Sequence, residues 1–529
     1  MPSLSRRFPC LAVALLVLFV SAAASASVVT YMDTRTLTRL SPVIVRGTVR
    51  EVAAVEGDTG GIFTDVRLDV SEVFRGPRGL TSLRVRLLGG RIGEREARVF
   101  GVPRFGSGEE VLLFASPSKA GWLTVTGLFQ GKIRIERVNG GAFAVRGESS
   151  NQAGVAVVPR GAPEEARVPL ESFRRRLLGL VSELGSDPTF DLGAADYAAT
   201  ASAAGPSDVI VPQFTLLLIP FRRFEPDSGQ PVVYRYNPTN APSVPGAGDA
   251  RQAFVNVLQA WNQVPGHAID LVDGGDTGAQ CYLTFDGVTG VSHDDPCGEV
   301  PAFDSTTCSG VLAIGGFSEI SLFQTKTVNG QRFRRGLQGD VVLNSDADCF
   351  FEEPGNYEEV LAHEIGHTFG LGHSCGDDYS PDCATSFELD DAQMRAFAHG
   401  DGRGADPRRD DVKGVRFIYP PNAFVGLEVD DTSIATGENA RLTLDLNGTA
   451  AADLWFFSIL PGASPRGGRV ASSILPVYAA GIPILDHTFA GGEPPGPYVF
   501  IAALTVPGGN PTIPAQLLSS AFAYFTFTP

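Results

Sequence analysis

One stretch, NYEEVLAHEIGHTFGLGHS (Asn356 to Ser374), decides how the sequence is interpreted. Its apolar residues Leu361, Ile365 and Phe369 recur at helical spacing, which predicts an α-helix with one face in a protein core. Gly370 follows and can adopt a positive φ, so it is a suitable place for the helix to end. The sequence therefore predicts a buried helix followed by a sharp turn.

Three histidines of this stretch are spaced as metal ligands. His363 and His367 are four residues apart, so both imidazoles project from one side of the helix. After the turn, His373 can reach the same point. Three protein ligands leave one tetrahedral position of a zinc ion open to water, which is typical of catalytic rather than structural zinc. Glu364 is placed to act as general base toward that water.

The alternative is a core helix that carries histidines by chance. The chain has 7 histidines in 529 residues, and His363, His367 and His373 all stand in this one stretch. The extended pattern HExxHxxGxxH is also much more specific than HExxH alone. We therefore favour a zinc site over an accidental cluster.

The composition limits the class of protein. A chain of 529 residues is too long for one core, and its charged and apolar fractions are those of globular domains. The formal net charge of −17 argues against a nucleic-acid partner, because phosphate binding needs a basic surface. We therefore expect several globular domains and no nucleic-acid partner.

Residues 1–26 have the pattern of a signal peptide. Arg6 and Arg7 precede the apolar run LAVALLVLFV (Leu11 to Val20), and ASA (24–26) is a suitable cleavage site. The alternative is an uncleaved membrane anchor, but the run is shorter than the about 20 residues that a span needs. No other segment is long and apolar enough to cross a bilayer. We therefore expect cleavage and secretion.

The cysteines indicate disulfides in one part of the chain. Of 7 cysteines, all but Cys10 lie between residues 281 and 383, and an even number in an exported chain favours disulfides. Short, turn-rich loops favour the pairs Cys375–Cys383 and Cys297–Cys308, which leaves Cys281–Cys349. Paired cysteines cannot supply a thiolate to the zinc. Any latency is then expected to act by steric cover or through a carboxylate.

Residues 27–184 are predicted to form an N-terminal β-rich domain that ends in a helix. Segments with strand-like patterns alternate with Gly, Pro and Asp, which indicates a small barrel or sandwich. A helix is predicted over 168–184 from its apolar face. The segment 185–208 is rich in Ala, Gly, Ser and Asp and is predicted to be a linker. The predicted strands are 43–52, 63–74, 82–90, 110–115, 122–129 and 132–138.

Residues 209–421 are predicted to form the catalytic domain. A helix is expected over 249–263, with Asp249 near its start. Strands are expected at CYLTF (281–285), GVLAIGG (310–316) and DVVLN (340–344). GVLAIGG is either an edge strand that pairs with an extended substrate or a buried strand.

Residues 422–529 are predicted to form a third domain. This region lacks cysteine, and its apolar segments alternate with Gly and Pro turns. That pattern indicates an immunoglobulin-like β-sandwich. The segments are ARLTLDL (440–446), LWFFSIL (454–460), YVFIAAL (498–504) and AFAYFTF (521–527).

The sequence HEIGHTFGLGHS resembles the metzincin clan of zinc proteases, and its HS ending resembles the matrixin branch, including secreted bacterial members. Residues 408–420 resemble the last helix of matrixin domains, and AFVNVLQAWNQV (253–264) resembles the first. The resemblance implies a multidomain protein with an α+β catalytic domain, in which a twisted five-stranded sheet packs with long helices. It also implies a methionine turn beneath the zinc.

The resemblance places Met394 in that turn, because it is the only methionine after Met32. Two features depart from the matrixin pattern. The gap between His373 and Met394 is longer than usual, and Arg395-Ala396-Phe397 replaces the usual aromatic and proline residues. The alternative for Met394 is plain packing in the core.

Other polar residues are given ordinary roles. His267 and His293 are expected to be solvated loop histidines rather than ligands of a second metal. The segments DGGDTG (273–278) and SHDDP (292–296) are rich in oxygen atoms, so Ca²⁺ is possible there. They do not match an EF-hand loop, and turn-forming Asp and Gly need no ion.

The sequence thus predicts a secreted zinc endopeptidase that acts on protein or peptide substrates. Its catalytic residue is Glu364, and its oligomeric state stays open. One alternative is an extracellular binding or adhesion protein with a weak or inactive protease core. Another is a zinc hydrolase that acts on a non-peptide bond. The complete set of ligands and the intact Glu364 favour the peptidase.

Overall fold

The chain is mostly β-structure, and its strands form several sheets. A computed structural model describes residues 24–57, 62–77, 79–92, 95–99, 101–118, 121–138, 140–146, 167–184, 214–217, 220–246, 248–284, 286–344, 346–377, 380–474 and 477–529. Most of the predicted signal peptide (1–23) and the predicted linker (185–208) lie outside these residues. No helix within the described ranges has the length and apolarity needed to cross a bilayer.

Antiparallel strands make up most of the region before residue 185. Its elements are β1 (Ala24–Val29), α1 (Thr34–Leu40), β2 (Val43–Glu56), β3 (Ile62–Arg75), β4 (Ser82–Ile92), β5 (Arg95–Val99), β6 (Glu110–Pro117), β7 (Leu123–Val125), a 3₁₀ helix (Leu128–Gly131), β8 (Lys132–Val138), β9 (Gly141–Arg146), β10 (Arg167–Pro169) and α2 (Leu170–Leu184). β3 lies between β2 and β4, and β2 also pairs with β6, which leads on to β8, β9 and β10. The predicted strands and helix are present, although 122–129 contains only the short β7.

The next region combines a mixed sheet with helices. Its elements are β11 (Phe221–Arg222), a 3₁₀ helix (Glu225–Ser228), β12 (Val232–Tyr236), α3 (Ala250–Gln263), β13 (Leu271–Asp276), β14 (Gly290–Ser292), β15 (Phe303–Asp304), β16 (Ser309–Val328), β17 (Gln331–Leu343), α4 (Asp348–Phe351), α5 (Asn356–Thr368), a 3₁₀ helix (Cys383–Thr385), α6 (Phe387–Asp390) and α7 (Arg409–Ile418). β13, β12, β14 and β17 are parallel neighbours in that order, and β16 is antiparallel to β17. GVLAIGG therefore belongs to β16, next to DVVLN in β17.

Helices α3 and α5 pack together against this sheet. The predicted helix over 249–263 is confirmed, and the Asp249 carboxylate caps it by accepting from Gln252 N–H at 2.7 Å. The buried Trp261 of α3 donates from Nε1 to Ala362 O of α5 at 3.1 Å. Its ring also meets Phe369 edge-on, with centroids 4.9 Å apart. The apolar faces that the sequence predicts thus fix α5 against α3.

The predicted strand CYLTF is wrong. Cys281 to residue 284 adopt a turn instead of a strand. Tyr282 N–H and Leu283 N–H both donate to the Glu299 carboxylate, at 2.6 and 2.8 Å. A side chain therefore satisfies the amides that a neighbouring strand would otherwise bind.

The disulfides agree with the sequence prediction in one case. Cys375–Cys383 is confirmed, whereas the other two predicted pairs are wrong: the bonds are Cys281–Cys297 and Cys308–Cys349. The turn between β15 and β16 is the physical reason, because Phe303 pairs with Gly310 across it. Cys308 in that turn has a φ of 51° and packs against the same core as Cys349.

The C-terminal region forms two facing sheets. Its elements are β18 (Phe424–Val429), β19 (Ser433–Ala435), β20 (Asn439–Gly448), β21 (Ala452–Ile459), β22 (Arg466–Ile474), β23 (Val477–Thr488), β24 (Gly496–Thr505), a 3₁₀ helix (Pro514–Gln516) and β25 (Leu517–Thr528). One sheet has the order β18-β20-β23 and the other β19-β25-β24-β21-β22. Leu442 from the first sheet and Phe500 and Phe525 from the second share a buried core. The immunoglobulin-like assignment stays a prediction.

Strand β1 links the N-terminal strands to the sheet of the next region, because it pairs parallel with β5 at residues 24 and 25. It pairs antiparallel with β16 over residues 24–29, on the side opposite β17. Its Val28 and Val29 are buried, with exposed fractions of 2% and 0%. The start of the described chain is therefore part of the sheet that carries the predicted catalytic helix.

The disulfide pattern can be tested by peptide mapping without reduction. We expect three cross-linked peptide pairs, joined through Cys281–Cys297, Cys308–Cys349 and Cys375–Cys383, because their Cα atoms are 5.6, 5.9 and 5.0 Å apart and within bridging distance. A reduced sample is the control. A peptide pair joined through Cys297 and Cys308 would contradict this pattern.

Candidate active site

The three predicted ligands come together at the C-terminal half of α5. His363, His367 and His373 are buried, with exposed fractions of 1%, 0% and 1%. Their ring centroids lie 4.6, 5.1 and 4.9 Å apart. One nitrogen of each ring lies within 4.8 Å of the other two. The structure thus brings together the residues that the sequence pattern selects.

The Nδ1 atom of each ring has its own hydrogen-bond acceptor. His363 Nδ1 lies 2.9 Å from Gln393 O, and His367 Nδ1 lies 2.7 Å from Leu371 O. His373 Nδ1 lies 2.7 Å from Asp377 Oδ2. Because carbonyl oxygens only accept hydrogen bonds, the first two rings carry their proton on Nδ1 and a lone pair on Nε2.

This arrangement fits a bound cation. His363 Nε2 and His367 Nε2 are 2.8 Å apart, so two lone pairs face each other unless a positive charge lies between them. Burial and the neighbouring imidazoles lower the pKa values of both rings well below the usual range of histidine. Neutral imidazole is the form that binds metals. The chemistry of the site therefore matches three imidazole ligands to one zinc ion.

Glu364 lies beside this cluster and is fully buried. Its Oε1 accepts a hydrogen bond from Val28 N–H at 2.8 Å, whereas Oε2 has no hydrogen-bond partner among the described residues. Burial raises the pKa of Glu364 well above the usual range of glutamate. A carboxylate with a raised pKa and a free oxygen is suited to proton transfer.

Two glycines allow the backbone to approach the ligand helix. A Cβ on Gly315 of β16 would lie 2.7 Å from Glu364 Cβ, so β16 can pack here only without a side chain. Gly370 has a φ of 121°, as the sequence predicts, and a Cβ there would lie 2.3 Å from Phe221 O. The helix end and β16 are thus both fixed close to the site.

Met394, which the resemblance places in a methionine turn, packs against α5 at Gly366. It is 2% exposed, and its Sδ would lie 2.4 Å from a Cβ placed on Gly366. Ser374 N–H donates to Met394 O at 2.8 Å, which connects the methionine segment to the residue after the third ligand. Asp411 of α7 accepts hydrogen bonds from Met394 N–H at 3.0 Å and Gln393 N–H at 2.8 Å.

Three positioning residues were missed in the sequence. Asp377 orients His373, Gln393 supplies the carbonyl that orients His363, and Asp411 holds the Gln393–Met394 backbone. Asp377 lies four residues after His373, a spacing that could have identified it. Asp411 lies in the segment 408–420 that resembles the last matrixin helix. Gln393 acts through its backbone, which leaves no signal in the sequence.

The two histidines expected to be solvated are held inside the protein. His293 is 3% exposed and lies between Asn237 O and Tyr357 Oη, at 3.1 and 2.8 Å. Its burial lowers its pKa to about 4. The half-buried His267 contacts Trp261 O at 3.0 Å. The expectation that both imidazoles are solvated is wrong, because each makes hydrogen-bond contacts with backbone or side-chain atoms of the protein.

The oxygen-rich segments do not support the suggestion of calcium. Asp273 and Asp276 both pair with Arg251, at 2.6 and 2.8 Å. The Asp295 carboxylate accepts from Glu299 N–H and Val300 N–H at 2.8 and 3.0 Å. These carboxylates therefore already form ion pairs or hydrogen bonds within the protein. Another group with ligand spacing in the described ranges, Cys375, Cys383 and Asp390, contains a disulfide.

Replacing Gly366 by Ala should destabilise the protein by about 1–3 kcal/mol, because the added methyl group overpacks the core. It would meet Met394 Sδ at 2.4 Å and Trp261 Cζ2 at 3.2 Å. Urea unfolding measures the change, and Gly179→Ala, where a Cβ meets open space, is the control. Equal stability of the two variants would show that Met394 is not packed against Gly366.

Replacing Asp377 by Asn should weaken zinc binding by about 10–100-fold, the usual effect of losing a partner that orients a ligand. Asp377 is buried and bonded to His373, whereas Asp406 is exposed and serves as the control for Asp→Asn. Competition with a fluorescent chelator gives the affinity. An unchanged zinc affinity would mean that Asp377 does not orient a ligand.

Comparison with known families supports a metallopeptidase site. Residues 328–398 match the model of metallo-peptidase family M12B, reprolysin-like, and this segment includes His363, Glu364, His367, His373 and Met394. The chain has no significant match among curated proteins. M12B peptidases are zinc-dependent and act on proteins or peptides, so the match supports a metzincin-type metalloprotease.

Proposed function

We propose that the protein is a secreted, matrixin-like zinc endopeptidase. The single observation that carries the proposal is the convergence of three buried, oriented imidazoles beside the carboxylate of Glu364. The zinc ligands are His363, His367 and His373. The catalytic domain is assigned to 209–421, between an N-terminal β-rich domain and a C-terminal β-sandwich.

The matrixin-like subtype is supported by details around the third ligand. Ser374, which follows His373, is buried and donates from Oγ to Leu389 O at 2.9 Å. Asp411, from the segment that resembles the last matrixin helix, holds the methionine turn. The family match concerns the reprolysin-like branch, so the subtype depends on these residues.

Zinc at this site would acidify a water molecule and polarise the carbonyl of the scissile peptide bond. Glu364 would take a proton from that water at Oε2 and pass it to the leaving amine, acting as general base and then as general acid. Burial raises the pKa of this carboxyl group well above the usual range of glutamate, which makes the carboxylate a stronger acceptor of the proton. His363 and His367 would hold the zinc through their Nε2 lone pairs, because their Nδ1 hydrogens are donated to carbonyl oxygens.

Strand β16 supports an endopeptidase rather than a hydrolase of small molecules. Its residues 311–316 run past Glu364, and the side that faces away from β17 is paired with an extended segment of the same chain, β1. An extended polypeptide can bind along this side of a strand through main-chain hydrogen bonds, which do not depend on the identity of its side chains. The site therefore suits a polypeptide backbone as its substrate.

Secretion is supported by the disulfides and by the sequence of the N-terminus. Three disulfides stabilise the catalytic region, and such bonds persist in oxidising compartments. The basic and apolar segments of residues 1–26 fit an export signal. We therefore assign the enzyme to the outside of the cell.

Glu364→Gln should reduce peptide hydrolysis by at least about 100-fold, because the amide cannot accept the proton from water. Zinc content should stay unchanged, since Glu364 is not a ligand. The rate is measured with a fluorogenic peptide library, and a zinc chelator should abolish it in the parent. Glu358→Gln, on the same helix but away from the cluster, is the control. A zinc-loaded Glu364→Gln protein with the parent rate would contradict the proposed base.

A further inference from the structure

Two adjacent arginines with different partners are buried near the start of the assigned catalytic domain. Arg222 and Arg223 each have an exposed fraction of 2%. Arg222 donates from its two Nη atoms to the Asp227 carboxylate, at 2.8 and 2.9 Å. Arg223, in contrast, forms no ion pair with any residue that the structure describes. A buried guanidinium is costly unless hydrogen bonds satisfy it, so the neutral acceptors around Arg223 determine its position.

One acceptor of Arg223 is the end of α5, the helix that carries two of the predicted zinc ligands. Arg223 Nε donates to Thr368 O, the carbonyl of the last residue of α5, at 3.2 Å. Its Nη1 donates to Leu337 O of β17 at 2.8 Å, and its Nη2 donates to Thr289 Oγ1 at 2.9 Å. A positive charge is favourable at the C-terminal end of a helix, because the helix dipole is negative there. Arg223 thus connects the ligand helix to β17.

The backbone of Arg223 supports the same helix end. Its N–H donates to Tyr419 Oη at 2.8 Å, and Tyr419 Oη donates to Phe369 O at 2.6 Å. Carbonyls at the end of a helix lack partners within the helix, and here Arg223 and Tyr419 supply the donors. Gly339 of β17 leaves room for this contact, since a Cβ there would lie 2.8 Å from Arg223 Nη2 and 2.9 Å from Thr368 Cβ.

The turn after α5 is held by the segment that precedes the two arginines. Gly372 N–H donates to Thr215 O at 2.8 Å, and Leu216 forms a β-bridge with Leu371. Within this turn, Leu371 O accepts a hydrogen bond from His367 Nδ1 at 2.7 Å. The acceptor that orients the second ligand therefore belongs to a turn whose position depends on the helix end and on this segment.

We infer that Arg223 is a positioning residue of the proposed zinc site: it fixes the end of α5 and the turn that carries Leu371 O, and through them the orientation of His367. This inference rests on the zinc site of the proposed function. The first ligand, His363, depends instead on Gln393 O of the methionine segment. Loss of Arg223 should therefore affect His367 more than His363, which a general loss of stability would not do.

The test uses variants of the full-length chain. Arg223→Gln removes the charge and the planar set of donors, whereas Arg223→Lys keeps the charge. Arg222→Gln is the matched control, because it removes a buried guanidinium at the neighbouring position, where the partner is Asp227. Competition with a fluorescent chelator gives the zinc affinity. NMR of zinc-loaded protein with isotope-labelled histidine follows the Nδ1–H signals of His363 and His367.

We expect Arg223→Gln to bind zinc about 10–100-fold more weakly than the parent, the usual effect of losing a group that positions a ligand. Its His367 Nδ1–H signal should shift, whereas the His363 signal should stay in place because its acceptor lies in another segment. Arg223→Lys should recover part of the affinity, since an ammonium group can still donate to the end of α5. Arg222→Gln should bind zinc as the parent does.

A second variant serves if Arg223→Gln does not fold. Tyr419→Phe nearly conserves the volume of the side chain and removes the hydroxyl group that joins Arg223 N–H to Phe369 O. It should also weaken zinc binding and shift the His367 signal.

Equal zinc affinity in the parent and Arg223→Gln, with an unshifted His367 signal, would overturn the inference. Equal shifts of the His363 and His367 signals, or an equal loss of affinity in Arg222→Gln, would also overturn it, because they indicate a purely structural role. Hydrolysis of a fluorogenic peptide tests the proposed function separately. A zinc-loaded parent that cleaved no peptide, together with the selective His367 shift in Arg223→Gln, would support the inference and contradict the proposed function.

Discussion

The site depends on hydrogen bonds from the Nδ1 atoms of buried histidines. Gln393 O and Leu371 O fix the protons of His363 and His367 on Nδ1, and the Nε2 lone pairs then point at one another. Burial removes the water that would otherwise separate these lone pairs. An imidazole cluster in this state is stabilised by a cation, so local hydrogen bonding and burial together create the metal preference.

Close packing of backbone maintains this geometry. Three close contacts occur at glycines, where no side chain intervenes. Gly315 lies where β16 meets α5, Gly366 lies where Met394 meets α5, and Gly370 lies where the turn after α5 meets Phe221. Asp411 joins the methionine segment to α7, while Trp261 joins α5 to α3. The ligands are therefore held by the whole catalytic region rather than by the helix alone.

Local sequence patterns were sufficient to predict the helix and the turn that bring the three histidines together. The helical spacing of His363 and His367, the positive φ of Gly370 and the Asp249 cap are set by residues close in sequence. The same holds for the strands of the N-terminal region, where alternation of apolar residues gave the correct elements. These features need only the geometry of one helix, turn or strand.

Features that depend on distant contacts could not be predicted in this way. The pairing of Cys308 with Cys349 follows from how the β15–β16 turn packs against α4, and loop length carries no information about that packing. Burial of His293 depends on Tyr357, far along the chain. The position of β1 next to Glu364 joins residues separated by most of the catalytic and N-terminal regions. No local pattern encodes such contacts.

We propose that three imidazoles of this protein bind one zinc ion, without a thiolate. X-ray absorption at the zinc edge of the purified protein tests it most directly. We expect one zinc per chain with only nitrogen and oxygen neighbours at about 2.0–2.1 Å and the scattering pattern of three imidazoles. A sulfur neighbour at about 2.3 Å, or fewer than three imidazoles around the zinc, would contradict it.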